Sequence, residues 1–251
     1  MKISLIIPAY NEADGVIQTR DSLVPVVNQL KERYTVELVF VDDGSTDDTQ
    51  ALLRDAFSAV PETRIIPHDV NRNLGAALRT GFQHATGDVI VTTDFDGTYP
   101  FERIPVLLAQ FEADGTDILT ASPYHPHGKV EGVPAYRLLF SFGASLLYRL
   151  LVKWDIHTWT ALFRAYKREV IDTVTFESDD FLAGTELLVN AIRSGYRVSE
   201  FPTTLHQRSF GQSSIKIARV TRAHLRFQLH ILRLRLSGKF AQRQPAQARN
   251  A

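Results

Sequence analysis

The sequence predicts an α/β protein built on a sheet covered by helices, and three observations carry that prediction. Apolar runs of strand length recur at residues 2–8, 36–42, 63–67 and 89–94. Helix-period segments alternate with them at 13–33, 46–57 and 74–84. With 251 residues and 44% hydrophobic content, the chain can bury one large core and is too apolar for a disordered one. Repeated strand–helix units give a parallel sheet with helices on both faces. Ligands then bind in the loops at the carboxyl edge of the strands. Three such edges carry chemistry: Pro8-Ala9-Tyr10-Asn11-Glu12, Asp42-Asp43-Gly44-Ser45 and Asp94-Phe95-Asp96-Gly97.

The second half is less regular. Residues 122–134, rich in Pro, Gly and His, read as a loop of functional length. Residues 134–152 read as a helix whose buried stripe is Leu138, Leu139, Phe142, Leu146 and Leu150. A helix over 185–194 stops at Gly195 and leads to a strand over 197–201. Residues 215–236 form a basic amphipathic helix, with Ile217, Val220, Phe227, Ile231 and Leu234 at helical spacing and Arg219, Arg222, Arg226 and Arg233 between them. The expected organisation is a catalytic domain over 1–210, a basic helical extension over 211–241 and a disordered tail over 242–251.

Charge and composition narrow the function. The formal net charge is zero, yet residues 201–251 hold ten Lys or Arg and no acid, leaving 18 basic against 28 acidic side chains before them. An acidic body with a basic end calls for a polyanionic partner such as phosphate or an anionic membrane surface. Nucleic acid is not expected, because no recognition motif or aromatic stacking pattern accompanies the arginines. The absence of cysteine excludes disulfides, thiolate zinc sites and cysteine nucleophiles. No signal peptide opens the sequence. The most apolar helix has eleven residues between Arg137 and Arg149, short of the roughly 20 needed to span a bilayer.

Asp94 and Asp96 are the sharpest feature. Two carboxylates one residue apart behind a strand suit a hard divalent ion, Mg²⁺ or Mn²⁺, shared with a diphosphate. Asp42 stands at another strand end, where it can receive hydrogen bonds from a base or ribose while Ser45 or Thr46 caps the next helix. The turn 71–73 leads into a helix start at Gly75, whose amides can approach phosphate or sugar. His125-Pro126-His127 brings two histidines without a third ligand nearby in sequence, too few for zinc.

These segments, together with Asn73-Leu74-Gly75-Ala76-Ala77 and Gly87-Asp88, resemble in order and spacing the family 2 glycosyltransferases. The resemblance implies a GT-A fold, a Rossmann-like nucleotide-sugar-binding mixed sheet flanked by helices. It also implies a nucleoside-diphosphate sugar donor, a divalent metal and inversion at the anomeric carbon. Pro8, Tyr10, Glu12, Asp42, Gly75 and Asp94 would line the donor site, and Asp94 and Asp96 would hold the metal.

Later segments look like the dolichol- or polyprenyl-phosphate sugar synthases: the block 163–170, Glu186-Leu187-Leu188, Glu200-Phe201-Pro202, and Arg208-Ser209-Phe210-Gly211-Gln212-Ser213. That branch implies a GDP- or UDP-sugar donor, a polyprenyl phosphate acceptor, and a cytoplasmic, peripheral enzyme on the inner face of the membrane. Arg137 and Arg208 would hold the phosphates beside Asp96, with Tyr124, Lys129, Ser141, Ser213 and Lys216 as further acceptor contacts. Hydroxyl-acceptor transferases supply a general base from a Glu-Asp pair at a late helix start, and here that pair aligns with Ala183-Gly184. A lipid monophosphate, largely dianionic near neutral pH, needs cations and no base.

Departures are visible. The family's Gly-Ser-Arg-Tyr loop is Ala121-Ser122-Pro123-Tyr124, and its Asp-x-Thr-Ser-Gly-Phe-Arg block is 158–164, without the acid and the glycine. Thr98 replaces a Gln after the paired aspartates, and Ser214 replaces a Lys. Two rivals follow: transfer to a hydroxyl acceptor with Asp179 or Asp180 as base, and a catalytically inactive nucleotide-sugar-binding regulator.

Overall fold

The computed structural model describes residues 1–208, 210 and 217–241. Its core is a seven-stranded sheet in the order β3-β2-β1-β4-β7-β5-β8. These strands are β1 (Lys2–Ala9), β2 (Thr35–Asp42), β3 (Thr63–Pro67), β4 (Val89–Thr92), β5 (Ile118–Ser122), β7 (Arg164–Lys167) and β8 (Val198–Pro202). All neighbours run parallel except β7, which lies antiparallel between β4 and β5. The mixed sheet is therefore as expected. A parallel pair, β6 (Lys129–Glu131) and β9 (Thr204–His206), stands apart and interrupts the long loop expected over 122–134.

The helices are α1 (Val16–Lys31), α2 (Thr49–Ala56), α3 (Leu74–His84), α4 (Ile104–Asp114), α5 (Ala135–Leu151), α6 (Arg168–Thr173), α7 (Ala183–Arg193) and α8 (Ile217–Leu236). Beyond the elements expected, the chain adds α4, β5, β7 and α6. The central strands β1, β2 and β4 are buried on both faces, so β1 is a near-continuous apolar run. Its pleat sends Ile3, Leu5 and Ile7 to a core with Leu23, Phe40, Leu107 and Phe111, and Ile6 to a second core with Val39, Ala77, Tyr148, Trp159 and Leu187.

One motif element serves the fold at the opposite end from the ligand loops. Gly87 donates its amide to Ser4 Oγ (2.8 Å), and Ser4 in turn donates to Glu37 Oε1 (2.5 Å). Glu37 also accepts the Thr86 amide (2.5 Å) and hydroxyl (2.8 Å), and pairs with Lys2 Nζ at 2.9 Å. Burial pushes this carboxyl up, but the donors outweigh it and hold its pKa down at about 2, against 4.5 unperturbed. A depressed carboxyl stabilises the fold fully above its unfolded pKa and loses that contribution as pH falls through the folded one. The shift corresponds to on the order of 3 kcal/mol. Glu37→Gln is expected to be markedly less stable than wild type to urea at pH 7, with the gap closing between about pH 4.5 and pH 2.

The stripe expected to be buried on α5 is not. Leu139 is 70% exposed and Leu150 62%, and Phe142 and Leu146 are exposed as well. The inward face of α5 is instead Ala144, Ser145 and Tyr148. Ser145 Oγ accepts the Trp159 amide (3.2 Å), Tyr148 packs on Trp159, and its hydroxyl meets His224 Nδ1 at 3.0 Å. Periodicity gives the width of an apolar face but not what covers it. On α8 the apolar stripe packs on the protein, with Phe227 and Ile231 against the core and His224 and Gln228 buried beside them, facing α5. Its outer face then shows Leu225, Leu229, Leu232 and Leu236 among exposed Arg222, Arg226 and Arg233.

Candidate active site

The loops after β1 and β2 are stitched together. Asn11, at φ 53° in a conformation asparagine tolerates, donates its amide to Ser45 Oγ (2.9 Å) and accepts the Thr46 amide through Oδ1 (2.8 Å). Glu12 donates its backbone N–H to Thr49 Oγ1 at 2.8 Å. Gly44 turns at φ 69°, where an added Cβ would lie 2.3 Å from the Val70 carbonyl carbon. The result is a cleft walled by Pro8, Tyr10, Glu12, Asp43, Asn71, Asn73, Asp94 and Asp96, with Arg208 and Arg219 over it.

Asp43 lines this cleft, one residue from the expected Asp42. Asp42 is buried and accepts the Ser45 amide at 3.2 Å, so it builds the turn. Asp43 is fixed by His68 Nδ1 (2.7 Å) and the Arg72 amide (2.9 Å), while His68 Nε2 meets Thr80 Oγ1 at 2.8 Å. Burial pushes the Asp43 carboxyl up against the pull of those donors. Gly75 is a correction. Its amide is committed to the Asp179 carbonyl (2.7 Å), and a Cβ there would stand 2.1 Å from the Ser178 oxygen. It is a glycine so that residues 178–183 can pack on α3, and its N–H has no room for a ligand.

Asp94 and Asp96 both reach the cleft and a second, larger cavity of about 670 Å³. Asp96 Oδ1 accepts the Thr98 amide at 3.1 Å, and Thr98 O accepts the His206 amide at 2.9 Å. That bond ties the carboxylate loop to β9, two residues before Arg208. Phe210 anchors the far side, its ring edge-on to Phe95 at 6.1 Å and seated where a Cβ on Gly15 would be. Arg208 thereby hangs over the carboxylates. Its Nη2 donates to Glu12 Oε1, and its Nε lies 3.0 Å from Asp96 Oδ2 as an ion pair without hydrogen-bond alignment.

Among the described residues, Arg208 is the guanidinium that contacts these carboxylates. Burial raises the Glu12 pKa to about 7, with Arg208 opposing and Asp96 adding to the rise. Glu12 Oε2 is buried without a hydrogen-bond partner among the described residues. Asp94 is pushed well above the usual carboxylate range, by burial first and Asp96 second. Among the described residues the carboxylates of the cleft outnumber its guanidinium groups, and its donors are hard oxygens. Asp94 and Asp96 therefore fit a hard divalent cation.

The larger cavity is lined by Asp94, Asp96, Tyr124, Ser141, Thr158, Thr160 and Arg208, and also by Leu138, Leu139, Leu147, Leu205, Val220 and Leu225. Ser141 Oγ meets Thr160 Oγ1 at 2.7 Å. Thr158, where the family carries an acid, is buried and bonds Ser122 Oγ at 3.0 Å and the Tyr124 amide at 3.2 Å. Lys129 does not reach the cavity: it lies exposed on β6, its amide paired with the Thr203 carbonyl (3.1 Å). Arg137 stands in the first turn of α5, but its side chain lies outside the described structure, as do Ser213 and Lys216.

Sequence reasoning missed Asp43, Phe181 and Arg219 on the cleft wall, and it missed the burial of Arg164. Arg164 donates from Nε to Thr120 Oγ1 (2.9 Å), from Nη2 to the Trp159 carbonyl (2.6 Å) and from Nη1 to the Gly184 carbonyl. It fixes the start of α7, where Ala183 and Gly184 offer no base. Nearby, Asp179 is exposed and paired with Arg79, and Asp180 lines the cleft while its Oδ1 accepts the Leu182 amide (3.0 Å) and the Ser178 hydroxyl (2.9 Å).

Residues 4–175 match the family model for glycosyl transferase family 2. The chain belongs to that family. It is 34% identical over 218 residues to a dolichol-phosphate mannosyltransferase of Pyrococcus furiosus, covering 86% of this chain and 60% of that one. It is also 34% identical over 227 residues to a polyprenol monophosphomannose synthase of Mycolicibacterium smegmatis, covering 87% and 83%. Its fold matches the glucosyl-3-phosphoglycerate synthase of Mycobacterium tuberculosis, solved with Mn²⁺, UDP and glucosyl-3-phosphoglycerate, with TM-score 0.67 over 90% of this chain and 79% of that one at 20% identity. The resemblance read from the strand-end motifs, and the GT-A fold it implied, are borne out. The family 2 chain described here thus spans about 60% of the Pyrococcus relative's length. Among the described residues no helix is long and apolar enough to cross a membrane.

Proposed function

We propose that the chain is an inverting, metal-dependent glycosyltransferase that moves a hexose from a GDP- or UDP-sugar to a polyprenyl phosphate at an anionic membrane surface. One observation carries the choice of acceptor: a single cavity has Asp94, Asp96 and Arg208 on its wall together with Leu139 and Leu225, which are themselves exposed on α5 and α8. A phosphate with a long apolar chain needs such a cavity, polar where the phosphate reacts and continuous with an apolar surface. The names of the Pyrococcus and Mycolicibacterium relatives support the same acceptor class.

Each side chain then has a task. Pro8, Tyr10 and Asp43 bind the nucleoside, and Glu12 Oε2, buried without a partner, accepts a donor hydrogen from it. Asp94 and Asp96 would hold Mg²⁺ or Mn²⁺, which when bound offsets charge on the diphosphate leaving group. Arg208 lies between cleft and cavity and exchanges its carboxylate contacts for phosphate oxygens, for which its guanidinium fork is suited. Tyr124 and Ser141 position the acceptor head, with Arg137 at the start of α5. The acceptor phosphate oxygen attacks the anomeric carbon as the bond to the diphosphate breaks, and no proton need be removed.

That absence of a base separates this reading from a hydroxyl acceptor. Asp180→Asn is expected to keep transfer to polyprenyl phosphate within about threefold of wild type. A loss of 10²-fold or more, in the range expected for a general base, would contradict the base-free transfer.

The exposed leucines of α5 and α8, with Arg222, Arg226 and Arg233 beside them, form the membrane-binding face, and each arginine near an anionic surface contributes about 1 kcal/mol. The enzyme is accordingly peripheral on the inner leaflet. Leu139→Gln with Leu225→Gln is expected to weaken sedimentation with phosphatidylglycerol vesicles at least fivefold. Unchanged binding would remove this face from the proposal.

A further inference from the structure

His125 and His127 have no third ligand near them in sequence, but the fold supplies one. His157, in the turn after α5, and Glu200, on β8, come to His125 with ligand atoms all within 4.8 Å of one another. None of the three lines the cleft or the cavity. His157 Nδ1 and Glu200 Oε2 are hydrogen-bonded at 2.6 Å, while Glu200 Oε1 accepts the amides of His157 (2.7 Å) and Thr158 (3.1 Å). His125 Nδ1 accepts the His127 amide at 3.1 Å, a contact that an ion bound at this nitrogen would displace.

The spacing suits a tetrahedral ion. Metal–ligand bonds of about 2.0–2.1 Å at tetrahedral angles place ligand atoms about 3.3 Å apart, and the centroids of two bound imidazoles about 5 Å apart. The His125 ring lies 5.3 Å from His157 and 5.4 Å from His127. Small rotations of partly exposed side chains close the set, and His127 stands beside it with its ring 5.4 Å from that of His125. Two imidazoles and a carboxylate form a borderline donor set, suited to zinc rather than to magnesium.

We infer that His125, His157 and Glu200 bind a Zn²⁺-class transition ion that fastens the loop bearing Tyr124 to the segment bearing Thr158. Loading displaces the hydrogen bond between His157 Nδ1 and Glu200, and the imidazole keeps its one proton on Nε2. The site is independent of the carboxylate pair Asp94 and Asp96 and of the reading given to the cleft. Its effect on that cleft is indirect, since Tyr124 and Thr158 already share a hydrogen bond at the cavity wall.

The test uses the full chain carrying Asp96→Asn, so that the paired carboxylates do not compete. Titration with Co²⁺ is expected to give one equivalent bound with the visible spectrum of a four- or five-coordinate ion, displaced by Zn²⁺ and untouched by excess Mg²⁺. Amide exchange over residues 122–134 and 156–163 should slow. His125→Ala, on a partly exposed loop where folding is not at stake, should weaken binding at least 100-fold, and His157→Gln likewise. His230→Ala, exposed on α8, should leave it unchanged. No uptake at micromolar ion, or uptake that survives His125→Ala, would overturn the site. Uptake without slowed exchange would overturn the fastening role.

Discussion

Asp96→Ala is expected to lower glycosyl transfer about 10³-fold, the equivalent of ~4 kcal/mol of barrier, with little loss of stability. The asymmetry follows from its surroundings. The side chain is only partly buried, and its contacts are the Thr98 amide and Arg208. Nothing in the core leans on it. Its removal takes one of the two carboxylates proposed to hold the metal, and the loss should persist at millimolar Mn²⁺. Near-normal turnover, with a thermal midpoint also unchanged, would show that the carboxylate pair does not hold the ion.

The second large effect is expected at Arg208. Arg208→Ala should cost about 10²–10³-fold, the range for removing one preorganised charge donor at a reacting centre. Arg208→Lys should recover only part of this, because an ammonium cannot span two phosphate oxygens as a planar fork does. The substitution also has a signature in pH. Burial lifts Glu12 to about 7 while Arg208 holds it down, so the alanine variant should move the Glu12 titration upward. A variant that loses activity without that displacement would have lost a structural strut only.

Much of this site was readable before the structure, and the parts that were not share a physical cause. Asp94, Asp96, Glu12 and Arg208 were legible because their chemistry is tied to strand ends or to a spacing that chance seldom repeats. Asp43 was misread as Asp42 because a strand pleat alternates side-chain direction, and the doublet does not say where the pleat ends. Gly75 looked like a phosphate-binding helix start because its neighbour, the carbonyl of Asp179, lies about a hundred residues away in sequence. The leucines of α5 were assigned to the core because an apolar stripe is the same whether protein or lipid covers it. The histidine cluster failed in the opposite direction, since two of its four members come from segments that only the fold brings together.

The most direct measurement is transfer from labelled GDP- and UDP-hexoses to a short polyprenyl phosphate, with and without Mn²⁺, alongside a free-hydroxyl glycolipid acceptor. A metal-dependent, organic-soluble, mild-acid-labile product is expected with the phosphate acceptor alone. Transfer to the hydroxyl acceptor with none to the phosphate would contradict it, as would turnover of no donor at all.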